Sequence, residues 1–474
     1  MLMAPSHHVA AALCRANTIA PVVSALRIGL YALPAALHPH SSRGSSVTAS
    51  HVASNTADRA FSAAAGEAAA GEADIGGGPL AGVRVLDLGQ VIAGNYAGAL
   101  LGYFGAEVIK VEPPRRGDAI RSLRTLDETG TALWWRAHGR NKKCITVDLH
   151  KEEGREIVRK LSTKVDVILE NFRPGVMEKW GLGPSDLDPS LVYTRISGYG
   201  QTGPQASMPG YASVCEGVGG LRYINGYKDR PPVRPNISLG DTLAGLHAAF
   251  GTVMALLHQQ KPGRKAEGQV VDSAITESVF NMLESCITEY AMAGIERQPS
   301  GSTISGVVPS GTFRTADEHY VIIGGNGDSV YTRLMAAVGR PEMGADNPLY
   351  ANNSERCERE AEIMGVIEAW VAGKRMDEVL AIMKEARVPS GPIYSVKDIY
   401  MDPQFRARGM IQRAAPPEGG EEVVMPALLP VLTRTPGSTK WAGAALGHHT
   451  EEVLQKELGM GADEIARLRS DGVI

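Results

Sequence analysis

"VRVLDLGQVIAGNYAGALLGYFGAEVIKVEPP", residues 83–114, decides the fold. It opens with an apolar run ending in turn residues at Gly89, continues with apolar residues at helical spacing, and closes with a second apolar run stopped by Pro113. Strand, helix and strand within about thirty residues make a βαβ unit, which requires a parallel sheet. Working outward, "KCITVDL" (143–149), "VDVILENF" (165–172) and "LVYTRISGYG" (191–200) repeat the strand pattern, and "KEEGREIVRKLSTK" (151–164) is an amphipathic helix between two of them. "VVDSAITESVFNMLE" (270–284) adds a strand and then a helix. Strands alternating with helices predict an open, doubly wound α/β domain. In such sheets ligands lie beyond the carboxyl ends of the strands. The loops that matter are therefore "GQVIAGN" (89–95), "ENFRPG" (170–175) and "SGYGQTGP" (197–204). Each is also ordinary turn chemistry on its own.

The chain has 474 residues, 43% hydrophobic and 21% charged, with a formal net charge of −4. This is a globular composition, and neither charge nor motif calls for nucleic acid. Residues 1–57 differ: they hold Arg15, Arg27, Arg43 and five histidines, and the first acid is Asp58. A cationic, Ser-rich, acid-poor leader predicts an organelle transit peptide, mitochondrial with the plastid as alternative. Residues 58–78, rich in Ala and Gly, read as a flexible linker. Arg15 and Arg27 interrupt the leader's apolar residues, and no other run suggests a span, so no membrane is expected. The five cysteines form no CxxC pair or Cys/His cluster, so no metal site is expected. No G-x-S-x-G elbow or P-loop occurs, and "GGGPLAG" precedes the first strand, so it is not a dinucleotide fingerprint.

"NISLGDTLAGLHAAFG", residues 236–251, places Asp241 between a glycine and a long apolar run. From the residues alone the acid reads equally well as a helix N-cap and as a nucleophile. From about residue 290 the rhythm changes: "SGTFRTADEHYVIIGG" (310–325) predicts strand, turn and strand, with helices following.

Several segments together resemble the class III CoA-transferase family, which also includes formyl-CoA transferases, carnitine CoA-transferases and α-methylacyl-CoA racemases. They are "PLAGVRVLDLGQVIAGNYAGALLGYFGAEVIKVEPPRRGDAIR", "NKKCITVDLHKEEGREIV", "DVILENFRPGVMEKWGL", "ISGYGQTGP" and "SLGDTLAGLHAAFGTVMALLHQQKPGRKAEGQVVDSAITES", then "VPSGTFRTADEHYVIIGG", "VPSGPIYSVKDIYMDPQ" and "LGHHTEEVLQKELG". The likeness covers roughly residues 79–474. It implies a large Rossmann-like domain over 79–295, a smaller α+β domain over 296–400, and a segment 401–474 returning to the large domain. It also implies an interlocked homodimer of ring-shaped subunits, with CoA esters as substrates and no permanently bound cofactor.

Asp241 falls on the family's "LGD" nucleophile, which would pass through an aspartyl anhydride and an aspartyl-CoA thioester. By position, Ile92 and Ala93 would lie beside the thioester. CoA would be met by Val147, Asp148, Leu149, His150, Asn171, Phe172, Arg173 and Tyr211, with Lys179 nearby. The chain departs from the pattern at Ile92, where some transferases have glutamine, and at Asn95, where the family usually has proline. The glycine-rich loop of formyl-CoA transferases has no counterpart around 301–312. Ala212 replaces the acid that racemases carry after "GY", and alanine moves no proton. The reading is therefore a CoA-transferase resembling succinate–hydroxymethylglutarate CoA-transferase, moving CoA from an acyl-CoA such as succinyl-CoA to a free carboxylic acid. A racemase and a non-catalytic acyl-CoA binder are the alternatives. Arg222 and Arg234 are candidate partners for a substrate carboxylate, or members of structural ion pairs.

Overall fold

The computed structural model describes residues 77–260 and 267–474, all within one compact unit, Glu67–Ile474. The expected transit peptide over 1–57 and nearly all of the linker over 58–78 lie outside the described residues. Six strands form the main sheet: β1 (Arg84–Asp87), β2 (Glu107–Glu112), β3 (Lys142–Thr146), β4 (Val167–Glu170), β5 (Val192–Ser197) and β6 (Val270–Ala274). Their order is β3-β2-β1-β4-β5-β6, and every pair is parallel. This is the doubly wound order, which reverses between β1 and β4 and opens a crevice there.

The strands are apolar because both faces are covered. Alternate residues serve opposite cores. Leu86, Ile109, Ile168 and Tyr193 face one side, and Val85, Val108, Val167 and Val192 face the other. Helices α1 (Ala93–Tyr103) and α3 (Leu239–Gln259) cover the second side, with α2 (Ala212–Val218) beside α3. The first side takes the helix Glu152–Ser162 together with Thr450–Leu458 and Ala462–Ser470, so the chain's end packs back on the sheet. Residues 310–392 carry a separate antiparallel sheet, β7 (Ser310–Arg314), β8 (Tyr320–Gly324) and β9 (Ser390–Pro392). Its own core includes Val321, Ile323, Leu334, Ile363, Ile367 and Val379.

Helix α3 runs 21 residues and is apolar nearly all round. By length and composition it is long enough to cross a membrane, which the sequence reading did not anticipate. Ala244, Gly245, Ala248 and Thr252 are nevertheless buried against α1, β5 and β6, as befits a core helix of this layer. Small residues set its approach to α1. A Cβ on Gly245 would lie 2.6 Å from the Ala93 carbonyl oxygen.

Candidate active site

Strand β1 ends in the loop that starts α1, and buried charge holds this loop. Asp87 accepts the Gly89 N–H at 2.8 Å and pairs with Lys142 at 2.8 Å. Lys110 lies 3.4 Å from Asp118 and donates to the Gly89 carbonyl. Asp118 accepts the Val91 N–H at 2.9 Å and the Asn95 amide at 2.6 Å. Arg121 forks onto Glu112 through two 2.7 Å bonds. Asp87, Lys110, Glu112, Asp118 and Lys142 are all fully buried. Burial pushes the Asp118 carboxyl up, but Lys110 and the Ile120 and Val91 N–H groups outweigh it, leaving the group below the ordinary carboxylate range. Val91 needs this support, because it stands at φ 61°, a conformation that β-branched residues rarely adopt.

Across the crevice, the Asn171 amide closes on the same loop. Its Oδ1 accepts the Gln90 N–H at 2.6 Å and its Nδ2 donates to the Gln90 carbonyl at 2.8 Å. The loops after β1 and β4 are thereby locked together at the switch point. Glu170 accepts the Phe172 N–H at 2.7 Å and the Arg195 Nε at 2.6 Å, which fixes the next residue. Phe172 stacks edge-on against Trp180 at 5.2 Å, and Trp180 meets His150 at 5.7 Å. Trp180 joins two loops that the sequence reading left separate.

Asp241 is the third residue of α3. The cap position belongs to Ser238, so the cap reading of Asp241 is corrected. Its carboxylate has no hydrogen bond or ion pair with a described residue. Burial pushes its pKa up to about 6, the Glu216 carboxylate adds to that, and Arg234 opposes it. Asp241 and Gly245 share a helix face, four residues apart. Gly245 abuts Ala93, and Gly240 abuts Ile275 just after β6, so the turn carrying Asp241 lies toward the carboxyl end of the sheet, the end at which the Gly89–Ile92 loop also leaves β1.

Glu216 on α2 is fully buried and accepts the Gly240 N–H at 3.1 Å. It also pairs with Arg222 and Arg234, each at 3.2 Å. The two arginines thus sit in ion pairs of the protein itself. "CEGVGG" gave no hint of Glu216, because Arg234 and Gly240 reach it only through the fold.

The other expected residues divide. Ile92, Ala93 and Val147 are 2%, 2% and 1% exposed, and Leu149 is buried, so these four side chains serve the core and any contact they make is through the main chain. Asp148 accepts the His150 N–H at 3.0 Å and closes a turn. His150, Arg173, Lys179 and Tyr211 are exposed, and Asn171 and Phe172 are half-buried. No cluster of three or more His, Cys, Asp or Glu residues able to hold a metal occurs among the described residues.

Residues 80–450 match CoA-transferase family III. The chain belongs to that family. It is an enzyme that transfers CoA, built on the mixed α/β fold with a parallel sheet described above. It is 44% identical over 399 residues to the succinyl-CoA–D-citramalate CoA-transferase of Chloroflexus aurantiacus, covering 84% of this chain and 98% of that one. It is 32% identical over 399 residues to the succinyl-CoA:glutarate CoA-transferase of Mus musculus, covering 84% and 90%. The crystal structure of a CaiB/BaiF family protein from Brucella suis aligns with a TM-score of 0.70 at 31% identity, covering 81% of this chain and 100% of that one.

Proposed function

We propose that this CoA-transferase takes CoA from succinyl-CoA and gives it to a free carboxylic acid, with Asp241 as the nucleophile. The observation that carries the mechanism is the unpaired carboxylate of Asp241 in the first turn of α3, at the carboxyl end of the sheet, one turn before the contact of Gly245 with α1. The donor rests on the relatives' names, which share succinyl-CoA.

The Asp241 carboxylate attacks the thioester carbonyl carbon, forming an anhydride and expelling the CoA thiolate. The thiolate attacks the aspartyl carbonyl, releasing the donor acid and leaving Asp241 as a CoA thioester. The acceptor carboxylate attacks that thioester, forming a second anhydride and the thiolate again. The thiolate then attacks the acceptor's acyl carbon, giving the new CoA ester and free Asp241. Each step exchanges one anion for another, so no proton moves and no general base is needed. Ala212 is therefore no obstacle to transfer, whereas a racemase requires a proton carrier.

Asn171, Phe172 and Arg173, with Lys179 and His150 alongside, offer aromatic surface and cations for CoA near the crevice. Two protomers would assemble as an interlocked homodimer, which the exposed apolar side of α3 supports. The leader over residues 1–57 would direct the enzyme to the mitochondrion, with the plastid as alternative, and a fluorescent fusion of residues 1–78 distinguishes them.

The test is Asp241→Asn. It should keep the fold and lower transfer at least about 10³-fold, since it removes the group that forms the intermediates. Wild-type enzyme treated with acyl-CoA and hydroxylamine should carry a hydroxamate at Asp241 by mass spectrometry. Full activity in the Asn variant ends the proposal. A screen of acids by mass spectrometry of new CoA esters names the acceptor.

A further inference from the structure

Glu216 is a buried acid that the transfer chemistry above does not use. Its carboxylate is fully buried, yet it touches the start of α3 and two arginines. It stands four residues after Ala212, one turn along α2, so its side chain shares the face that Ala212 presents. The Gly240 N–H belongs to the first turn of α3, where N–H groups have no acceptor within the helix. Glu216 supplies that acceptor for the residue immediately before Asp241. The same carboxylate places the guanidinium groups of Arg222 and Arg234, and Arg234 in turn acts electrostatically on Asp241.

We propose that Glu216 is a positioning residue for CoA transfer: it clamps the turn that carries Asp241 and, by pairing with Arg222 and Arg234, sets the balance of charge that Asp241 faces. The proposal rests on Asp241 being the nucleophile.

A carboxylate attacking a thioester must be ionised, but one that is strongly stabilised by cations is a poor nucleophile. With Glu216 in place the arginines are largely neutralised, and the Asp241 carboxyl is held up near 6 by burial and by Glu216 itself. The groups around Asp241 fit this account. Glu216 and the Cys215 thiol come from α2, and burial pushes that thiol up to about 11, so it is neutral when Asp241 titrates. Arg234 comes from the segment leading into α3, and Arg222 is engaged with Glu216 and with the Ser213 hydroxyl at 3.2 Å. On α1, Tyr96 lies against Gly245, and burial raises its phenol. On the helix Ile275–Phe280, Ile275 and Val279 approach Gly240, and Glu277 lies toward Gly200. Glu216 and Arg234 are therefore the charges that move with substitution.

The experiment is the pH profile of exchange between an active acyl-CoA and its labelled free acid, with the full-length enzyme and two variants. Glu216→Gln keeps size and an acceptor for Gly240 but removes the repelling charge and frees Arg234. Its acid limb should move down by about one pH unit, with a slower plateau. Arg234→Gln removes the opposing cation, so its limb should move up. A merely structural residue would change both plateaus without moving the limbs in opposite directions. Limbs that stay put, or move together, overturn the proposal. If Glu216→Gln does not fold, Arg234→Gln decides alone: an upward limb supports the charge balance and an unmoved one overturns it. Hydroxamate trapping runs in parallel. Its absence at Asp241 in the wild type overturns the nucleophile itself, while its presence with unmoved limbs overturns only the role of Glu216.

Discussion

As the proposed nucleophile, Asp241 meets two opposed demands. It must ionise to act, yet it sits where ionisation is costly: burial and Glu216 push its pKa up to about 6. The sign of the consequence follows from linkage. The unfolded chain holds this acid at an ordinary pKa near 4, so between about pH 4 and 6 the folded state binds the extra proton. Ionised Asp241 therefore subtracts from stability above about pH 6, and the cost disappears below about pH 4. Asp241→Asn should melt at the same temperature as the wild type or higher at pH 7.5, with the gain shrinking as pH falls toward 4. Thermal melts at the two pH values check this. A variant markedly less stable at pH 7.5 would show the carboxylate to be a structural anchor instead. From the residues alone Asp241 reads equally as a cap and as a nucleophile, and it is the resemblance at "LGD" that makes it the candidate. Its pKa could not be read there, because Glu216 and Arg234 reach it only through the fold.

At the scale of elements, the site depends on how closely α3 lies against α1. Replacing Gly with Ala inside a helix ordinarily gains up to about 1 kcal/mol. At Gly245 the added Cβ would meet the Ala93 carbonyl oxygen at 2.6 Å, with Tyr96 and Ala97 next. Gly245→Ala should therefore lose about 1–3 kcal/mol by overpacking, and it should lower kcat as Asp241 shifts from the Gly89–Ile92 loop. Urea unfolding and steady-state rates test this, and a stabilised, fully active variant would refute it. The strands and helices of this layer were legible because their periods are clean: "VRVLDLG" alternates between two covered faces, and "NYAGALLGYFG" follows a helical spacing. The buried charges were not. Lys110 and Glu112 sit inside "AEVIKVEPP", where a pattern of apolar residues gives no reason to expect ions at the centre of a sheet. Only the fold brings Asp87, Asp118 and Arg121 to them. Likewise Asn171 reads as a CoA contact by resemblance or as a turn residue, and its lock on Gln90 across the switch point required the order of the strands.

At the scale of the whole molecule, one face of α3 has no cover among the described residues. Leu246, Phe250, Met254 and Leu257 recur at helical spacing and are 46%, 60%, 50% and 60% exposed. A helix apolar all round belongs in an interior. Its opposite face already packs on α1 and the sheet, so the uncovered face calls for another apolar surface. Phe280, at the end of the helix Ile275–Phe280 that packs against α3, is also exposed. A second copy of the chain, as the proposed homodimer supplies, would bury this face. Phe250→Glu would place a charge at the middle of that interface, and burying an unpaired carboxylate there costs several kcal/mol. Light scattering coupled to gel filtration should give a dimer for the wild type. For the variant it should give monomer and aggregate, with transfer activity lost in proportion. The substitution leaves the α3 core untouched, because Ala248, Ala249 and Thr252 face the other way. Fold loss is thus distinguishable from dimer loss by circular dichroism. A wild-type enzyme that runs as an active monomer would remove the need for any partner on this face.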